Sequence, residues 1–164
     1  MSSLTPDQRR TLLRNPAGWI ALGFGSGLSP VAPGTAGSLA ALLPWFALRE
    51  LPIPAFVLAL IVAFAIGVWA CNWAVRRLQI ADPGALVWDE FVGQWLALAP
   101  LLWWRRGWVW IVVGFILFRI FDIFKPWPVS WADRRLGGGF GVMADDIVAG
   151  VYAAVALSVA LTLF

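Results

Sequence analysis

The sequence predicts an all-α integral membrane protein, a helical bundle of about five membrane-spanning or partly spanning helices. Of its 164 residues, 61% are hydrophobic and 13% are charged, about half the charged fraction usual in soluble domains. The mean hydropathy is +0.81, and the stretches 51–75 and 147–164 contain no charged residue. A soluble bundle with a very apolar core is the weaker alternative, because soluble helices of that length normally carry a polar stripe. No linker interrupts residues 1–164, which predict a single domain.

The first third of the chain predicts a polar arm, a loop and one short helix. Residues 1–14 are polar and basic and lack the apolar core of a secretory signal, which indicates a cytoplasmic N-terminal arm. Residues 23–37 are dense in glycine, proline and serine, a composition typical of a loop. Residues 38–48 are apolar and predict a short helix.

The rest of the chain predicts one full span, a helical hairpin and a final helix. Residues 55–75 are long enough to cross an apolar layer of about 30 Å. Residues 89–121 predict two apolar helices around Arg105 and Arg106, each short for a full crossing. Residues 126–146 predict a polar, glycine-rich connection, and residues 147–164 predict the last helix.

Topology predicts that the polar stretches meet at one membrane face. The positive-inside rule puts the basic N-terminal arm in the cytoplasm, and the following segments then cross outward and back in turn. Arg105 and Arg106 fall on the outer side as a local exception to the rule. Four polar stretches share the cytoplasmic side: 23–38, 79–90, 119–125 and 130–146. Ionisable groups at the margins of apolar helices are usually functional, so we expect the site there.

The missing residue types exclude several kinds of chemistry. The chain has no histidine and one cysteine, which excludes imidazole catalysis, an internal disulfide and a thiolate zinc cluster. The net charge of +3 reflects few acids rather than many bases, so no nucleic-acid partner is expected. Cys71 and Arg77 match the spacing of cysteine phosphatases, but they continue an apolar helix instead of forming a glycine-bearing phosphate loop.

The acidic residues predict a site for a hard cation. Asp89 and Glu90 begin one predicted helix, Asp122 ends the next, and Asp145 and Asp146 begin the last. Carboxylates, together with substrate phosphate, are the ligands that Mg²⁺ commonly takes. Helix N-capping explains either acidic pair alone, whereas both pairs together with Asp122 favour a metal site.

Further residues at the same face are candidates for phosphate binding and proton transfer. Arg119 and Lys125 flank Asp122 at spacings of three residues, which puts the three on neighbouring turns of one helix. An intrahelical salt-bridge ladder is the structural alternative, and the functional one has the two cations on phosphate oxygens. Thr35 and Ser38 precede or begin a helix where backbone N–H groups favour anions. Asp82 and Asp133 are weaker candidates, for outer support of the metal or for the general acid.

Four long motifs occur in one order along the chain: GFGSGLSPVAPGTAGSLAA at 23–41, VWDEFVG at 87–93, FRIFDIFKPWP at 118–128 and DRRLGGGFGVMADDIVAG at 133–150. In these motifs the sequence resembles the phosphatidylglycerophosphatase A family of bacterial membrane enzymes. The resemblance implies Mg²⁺-dependent hydrolysis of phosphatidylglycerophosphate to phosphatidylglycerol and inorganic phosphate, and an all-α fold in the bacterial inner (cytoplasmic) membrane. The expected partner is a phospholipid substrate in the bilayer, and no protein partner can be inferred.

The residue types, their spacing and the resemblance together assign roles to nine positions. The catalytic candidates are Asp89, Glu90, Asp122, Lys125 and Asp146; the phosphate-binding candidates are Thr35, Ser38, Arg119 and Lys125; the metal-ligand candidates are Asp89, Glu90, Asp122, Asp145 and Asp146. The alternative is a cation or phosphate transporter that uses the same carboxylates. A transporter would need acids near mid-membrane and access from both faces, whereas these acids fall at helix ends on one predicted face.

Overall fold

The computed structural model describes residues 4–80, 83–127 and 137–164, and the regular elements in these residues are all helical. The predicted all-α fold class is therefore confirmed over the described residues. In chain order the α-helices are α1 (Pro6–Leu13), α2 (Pro16–Ala21), α3 (Pro33–Ala40), α4 (Leu42–Leu48), α5 (Ile53–Leu78), α6 (Trp88–Leu98), α7 (Trp108–Phe124) and α8 (Gly138–Leu163). Short 3₁₀ segments, Gly23–Leu28 and Ala99–Leu102, lie between α2 and α3 and after α6.

Helix α6 lies at the centre of the bundle. It packs against α8, α7, α5 and α3, and nine of its eleven residues are buried. The indole N–H of Trp88 donates to the Ala63 carbonyl at 2.9 Å, and that of Trp95 donates to the Ala41 carbonyl at 2.8 Å. These two buried hydrogen bonds tie α6 to α5 and to the junction between α3 and α4.

Two glycines allow α6 and α8 to cross in close contact. A Cβ on Gly150 would lie 2.7 Å from the carbonyl oxygen of Gly93, and a Cβ on Gly93 would lie 2.8 Å from that of Asp146. Small residues at a crossing let helix backbones approach closely, as they do in membrane bundles. Glu90 is three residues before Gly93, and Asp146 is four residues before Gly150. The crossing therefore brings these two acids together.

The chain direction brings four helix ends to one end of the bundle. Helices α5 and α7 end there, and α6 and α8 begin there. At the opposite end, Arg105 Nη1 lies 3.1 Å from Glu50 Oε2 and joins the turn after α4 to the turn after α6. The order of turns agrees with the predicted topology, and the orientation of this bundle in a membrane stays a prediction.

The last helix starts earlier than predicted. Helix α8 begins at Gly138 instead of residue 147, so Asp145 and Asp146 lie in its third turn and do not begin the helix. Their predicted helix-capping alternative is therefore wrong. The cause is close packing, because a Cβ on Gly139 would lie 2.4 Å from the backbone nitrogen of Asn72 in α5. The glycine content of this segment predicts a loop, whereas the structure has a closely packed turn of helix there.

The N-terminal third is also more helical than predicted. The arm contains α1, which begins with a capping box from Thr5, and the predicted loop at 23–37 contains the 3₁₀ segment and the start of α3. The single helix predicted at 38–48 is two helices that meet at Ala41. Pro44 explains the break, because it has no N–H to bond the carbonyl of residue 40.

Within the described residues, two helices, α5 and α8, are long and apolar enough to cross a membrane by length and composition. In the most apolar 18-residue window of each, 22% of α5 and 33% of α8 is buried inside the protein. The core helix of a soluble protein is mostly buried, whereas most of each of these two windows is not. The bundle of about five membrane helices remains a prediction.

Candidate functional site

A cavity of about 580 Å³ opens at the end of the bundle where α6 and α8 begin. It lies between α3, α6, α7 and α8, and its wall carries five carboxylates and two cations: Asp89, Glu90, Asp122, Asp145, Asp146, Arg119 and Lys125. With all of these groups ionised, the cavity has an excess of three negative charges. A phosphate group would be repelled from it unless a cation entered as well.

Three buried carboxylates form the centre of the cavity wall. Glu90, Asp122 and Asp146 each offer one oxygen, and these three oxygens lie within 4.8 Å of one another. They come from α6, α7 and α8 respectively, so only the packed bundle brings them together. Asp146 Oδ2 is buried and has no hydrogen-bond partner among the described residues.

Arg119 partly neutralises this cluster from α7. Its Nη1 donates to Glu90 Oε2, lies 2.7 Å from Asp122 Oδ2 and donates to Ser38 Oγ at 3.2 Å. The predicted contact between residues 119 and 122 is therefore present. Arg119 and both carboxylates are largely buried, so their charges interact in a medium of low dielectric constant.

Helix α3 holds Glu90 from the other side. Ser38 Oγ donates to Glu90 Oε2 at 2.8 Å and is fully buried. One turn earlier, a Cβ on Gly34 would lie only 2.1 Å from Glu90 Oε1. A side chain at position 34 would therefore displace the carboxylate from its place against α3.

Lys125 lies at the rim of the cavity. It follows the last residue of α7 in a left-handed backbone conformation with φ of 42°, and Pro126 follows it, as expected at a helix end. Its Nζ lies 2.7 Å from Asp145 Oδ2. Lys125 therefore contacts an acid in the third turn of α8 and links the end of α7 to that helix.

The remaining predicted site residues differ in whether they line the cavity or support a residue that does. Thr35 lines the cavity, and Ser38 lies behind Glu90 as its hydrogen-bond donor. Asp89 lines the cavity and its Oδ1 accepts from the backbone N–H of Glu90 at 3.0 Å. The weaker candidates Asp82 and Asp133 lie outside the described residues. Their predicted roles therefore stay predictions.

One positioning residue was missed in the sequence. Gly34 was grouped with a glycine-rich loop, although it lies on the face of α3 that contacts Glu90. The spacing of Gly34, Gly37 and Ser38 is the signal that could have identified it, because small residues three and four apart lie on one face of a helix. A Cβ on Gly37 would likewise approach Val87 at 2.7 Å, so this face of α3 packs tightly against the start of α6.

The sequence of the chain matches a known protein family and several of its members. The family model described as "Phosphatidylglycerophosphatase A" matches residues 19–161. The chain is 46% identical over 145 residues to phosphatidylglycerophosphatase A of Escherichia coli, an alignment that covers 88% of this chain and 83% of the relative. It is 40% identical to phosphatidylglycerophosphatase A of Haemophilus influenzae, over 94% of each chain.

A third relative carries a different name. A Bacteroides thetaiotaomicron protein, whose curated name gives it provisionally as a phosphatidylinositol-3-phosphatase, is 44% identical over 86% of this chain and 91% of its own. No solved structure matches the chain. The family match includes all the motifs that build the cavity, and the first two relatives each align with most of the sequence. This chain therefore belongs to the phosphatidylglycerophosphatase A family of phosphatases.

Proposed function

We propose that the protein is a Mg²⁺-dependent lipid phosphatase that hydrolyses phosphatidylglycerophosphate to phosphatidylglycerol and inorganic phosphate. The reaction takes place at the cytoplasmic face of the bacterial inner membrane, in which the chain is a multi-pass protein. The observation that carries the proposal is the group of three buried carboxylates, Glu90, Asp122 and Asp146, in a cavity whose wall carries five acidic side chains and two basic ones. The names of two relatives that cover most of this chain support the substrate.

The three carboxylates fit a magnesium ion. Two oxygens that share one Mg²⁺ at about 2.1 Å lie at most about 4.2 Å apart. The oxygens of Glu90, Asp122 and Asp146 lie within 4.8 Å of one another, so shifts below about 1 Å would bring them into the coordination sphere of Mg²⁺. Oδ2 of Asp146 has no partner in the described residues, and all the donor atoms are the hard oxygens that Mg²⁺ prefers. Asp89 and Asp145 line the same cavity and complete the proposed ligand set.

When bound, Mg²⁺ would neutralise charge on the phosphate and make a nearby water more acidic. Arg119 and Lys125 hold phosphoryl oxygens and stabilise the charge that develops on them. Thr35 and the backbone N–H groups at the start of α3 orient the phosphate. Ser38 donates its hydroxyl to Glu90 and holds that carboxylate in place. Because the chain has no histidine, a carboxylate of the cavity moves the protons.

The reaction then balances as a hydrolysis. A water oxygen forms a bond to phosphorus, and the bond from phosphorus to the glycerol oxygen breaks. The attacking water loses a proton to a carboxylate, for which Asp89 is the proposed acceptor because it lines the cavity and is only half-buried. The leaving alkoxide takes a proton from a protonated carboxyl group of the cavity wall and remains on the lipid as the free hydroxyl of phosphatidylglycerol.

The exposed apolar faces of α5 and α8 support a location in the bilayer. Large apolar side chains on both helices are exposed, among them Leu58 and Ile61 on α5 and Val155 and Val159 on α8. A lipid in the surrounding bilayer could keep its acyl chains in the membrane while its headgroup enters the cavity. The basic N-terminal arm and Arg76 and Arg77 support a cytoplasmic orientation of that end.

The decisive experiment is phosphate release by the purified full-length protein from phosphatidylglycerophosphate in mixed micelles, with added Mg²⁺ or with EDTA. We expect turnover with Mg²⁺, none in EDTA, and a lower rate with phosphatidylinositol-3-phosphate. Asp89→Asn and Asp122→Asn should each lose at least about a hundredfold in rate, the scale of removing an important electrostatic group. Asp7→Asn, an exposed change in α1, should keep the full rate.

Robust turnover in EDTA would contradict the metal assignment. Full rates in both site variants would mean that the carboxylates are structural. A higher rate with phosphatidylinositol-3-phosphate would reassign the substrate while leaving the phosphatase chemistry in place.

A further inference from the structure

A second polar surface lies outside the cavity, at the same end of the bundle. Trp69, Trp73, Arg76 and Arg77 of α5 line one surface pocket. Trp73 and Arg77 also line a neighbouring pocket together with Arg14, which follows α1. We call these five residues the α5 groove. The groove has no residue in common with the wall of the cavity.

The positive charge of the α5 groove has no acidic partner in the described part of the chain. Arg14, Arg76 and Arg77 are exposed, and none of them forms an ion pair with a residue that the structure describes. Cations at helix ends complement the helix dipole, which explains each arginine separately. The dipole does not explain why α1 and α5 bring their terminal arginines to one surface with two indole rings. Three arginines on one surface are instead the arrangement expected of a site that binds an anion.

An exposed apolar stripe leads along α5 to these arginines. Leu58, Ile61, Val62, Ile66 and Trp69 are 37–61% exposed. Their spacings of three and four residues place them on one face of the helix, and Trp73 and Arg76 continue the same face. The surface thus presents an apolar track followed by tryptophan and then by cations. That order matches the chemistry of a phospholipid, from acyl chain through the interface to the headgroup.

We propose that the α5 groove binds one anionic phospholipid of the bilayer, as a lipid separate from the one that enters the cavity. Its phosphodiester lies among Arg14, Arg76 and Arg77, because guanidinium groups match phosphate oxygens in charge and geometry. One acyl chain follows the stripe on α5. Basic pockets at the cytoplasmic ends of membrane helices bind anionic headgroups in this way. The binding needs no turnover, so it does not depend on the proposed catalytic activity.

The bound lipid would touch a residue that supports the cavity. Asn72 lines the same pocket as Trp69 and Arg76, and its Oδ1 accepts a hydrogen bond from the backbone N–H of Gly139 at 2.7 Å. The neighbouring Gly138 lines the cavity. A lipid in the groove therefore contacts the side chain that anchors the first turn of α8, and it should raise the temperature at which the protein unfolds.

The test is native mass spectrometry of the purified full-length protein in detergent, titrated with dioleoylphosphatidylserine or dioleoylphosphatidylcholine. Phosphatidylserine is the probe because it is anionic and is neither a phosphomonoester nor the proposed product. We expect one phosphatidylserine to remain bound at a concentration at least tenfold below that needed for phosphatidylcholine. The double variant Arg76→Gln/Arg77→Gln should lose this preference, and Arg14→Gln should weaken it from a different helix. Circular dichroism checks that each variant is folded.

Two control variants distinguish binding in the α5 groove from binding elsewhere on the protein. Arg105→Gln/Arg106→Gln removes two exposed arginines at the opposite end of the bundle, where Arg105 pairs with Glu50, and should keep the preference. Asp122→Asn changes the cavity and should also keep it, whether or not the protein is a phosphatase. Equal binding of both lipids would overturn the proposal, as would loss of binding in Asp122→Asn alone or a lipid-independent dimer that Arg76→Gln/Arg77→Gln dissociates.

Discussion

A single methyl group on α3 is expected to disable the phosphatase while leaving its fold intact. In Gly34→Ala the new Cβ would lie 2.1 Å from Glu90 Oε1, whereas ordinary contacts begin at 3.4 Å. The carboxylate must therefore move by about 1.3 Å if the two helices hold their places. That movement would pull Glu90 from Ser38 and from Arg119, which both contact its Oε2.

The expected loss follows from this displacement. A misplacement of about 1 Å in a catalytic site costs on the order of a hundredfold in rate, which corresponds to about 2.7 kcal/mol of transition-state stabilisation. We expect the rate of phosphate release to fall by about that factor and the Mg²⁺ concentration for half-maximal activity to rise. The α3 backbone itself would gain about 0.5–1 kcal/mol, because alanine loses less conformational entropy than glycine in a helix.

The assay is steady-state phosphate release across a Mg²⁺ titration, with the thermal midpoint of unfolding measured on the same samples. Gly107→Ala is the matched control, because its Cβ meets no atom within 4 Å and its φ is −68°. Glu90→Asp withdraws the carboxylate by about one methylene group, so the double variant with Gly34→Ala should lose less than the sum of the two single losses in free energy. A wild-type rate and Mg²⁺ response in Gly34→Ala, or strict additivity, would refute this reasoning.

Three further predictions concern charge, helix crossing and a buried hydrogen bond. Arg119→Gln leaves the buried carboxylates of Glu90 and Asp122 without their guanidinium partner. The thermal midpoint of this variant should therefore fall by several degrees in EDTA and recover in part with Mg²⁺. An unchanged midpoint in EDTA would contradict the ion pairs of Arg119. Gly150→Ala should lower the midpoint through about 1–3 kcal/mol of overpacking against the Gly93 carbonyl, and unchanged stability would mean that α6 and α8 cross less closely. Trp88→Phe removes a buried donor to Ala63 and should destabilise the protein by about 1–3 kcal/mol in denaturation experiments, with a near-zero change as the contrary result.

Much of the helical framework follows from local sequence. Residues 55–75 predict a long apolar helix, and the helix in the structure is Ile53–Leu78, longer by two residues at its start and three at its end. The prediction is close because a long uncharged stretch bounded by charged residues is typical of a single apolar helix. Pro126 is a similar local signal for the end of α7, because a proline disfavours the helical conformation of the residue before it. The chemical classes of the cavity residues were predictable as well, since carboxylates without histidine indicate an oxygen-liganded cation.

Local sequence failed where glycine serves packing instead of a turn. The sequence predicts loops at Gly34 and Gly139, yet both lie in helices and closely approach a group of another helix. Glycine in a helix is unfavourable by itself, so sequence patterns assign it to turns. Only a neighbouring helix at close range explains its presence, and that neighbour is distant in the sequence.

The sequence by itself determined that this chain is helical, apolar and supplied with carboxylates near helix ends, because those properties depend on composition and short-range periodicity. Only the tertiary structure decided which carboxylates meet. The crossing at Gly93 and Gly150 sets the relative height of α6 and α8, and thereby brings Asp146, in the third turn of α8, beside Glu90. That choice depends on contacts between residues more than 50 positions apart, which no local pattern encodes.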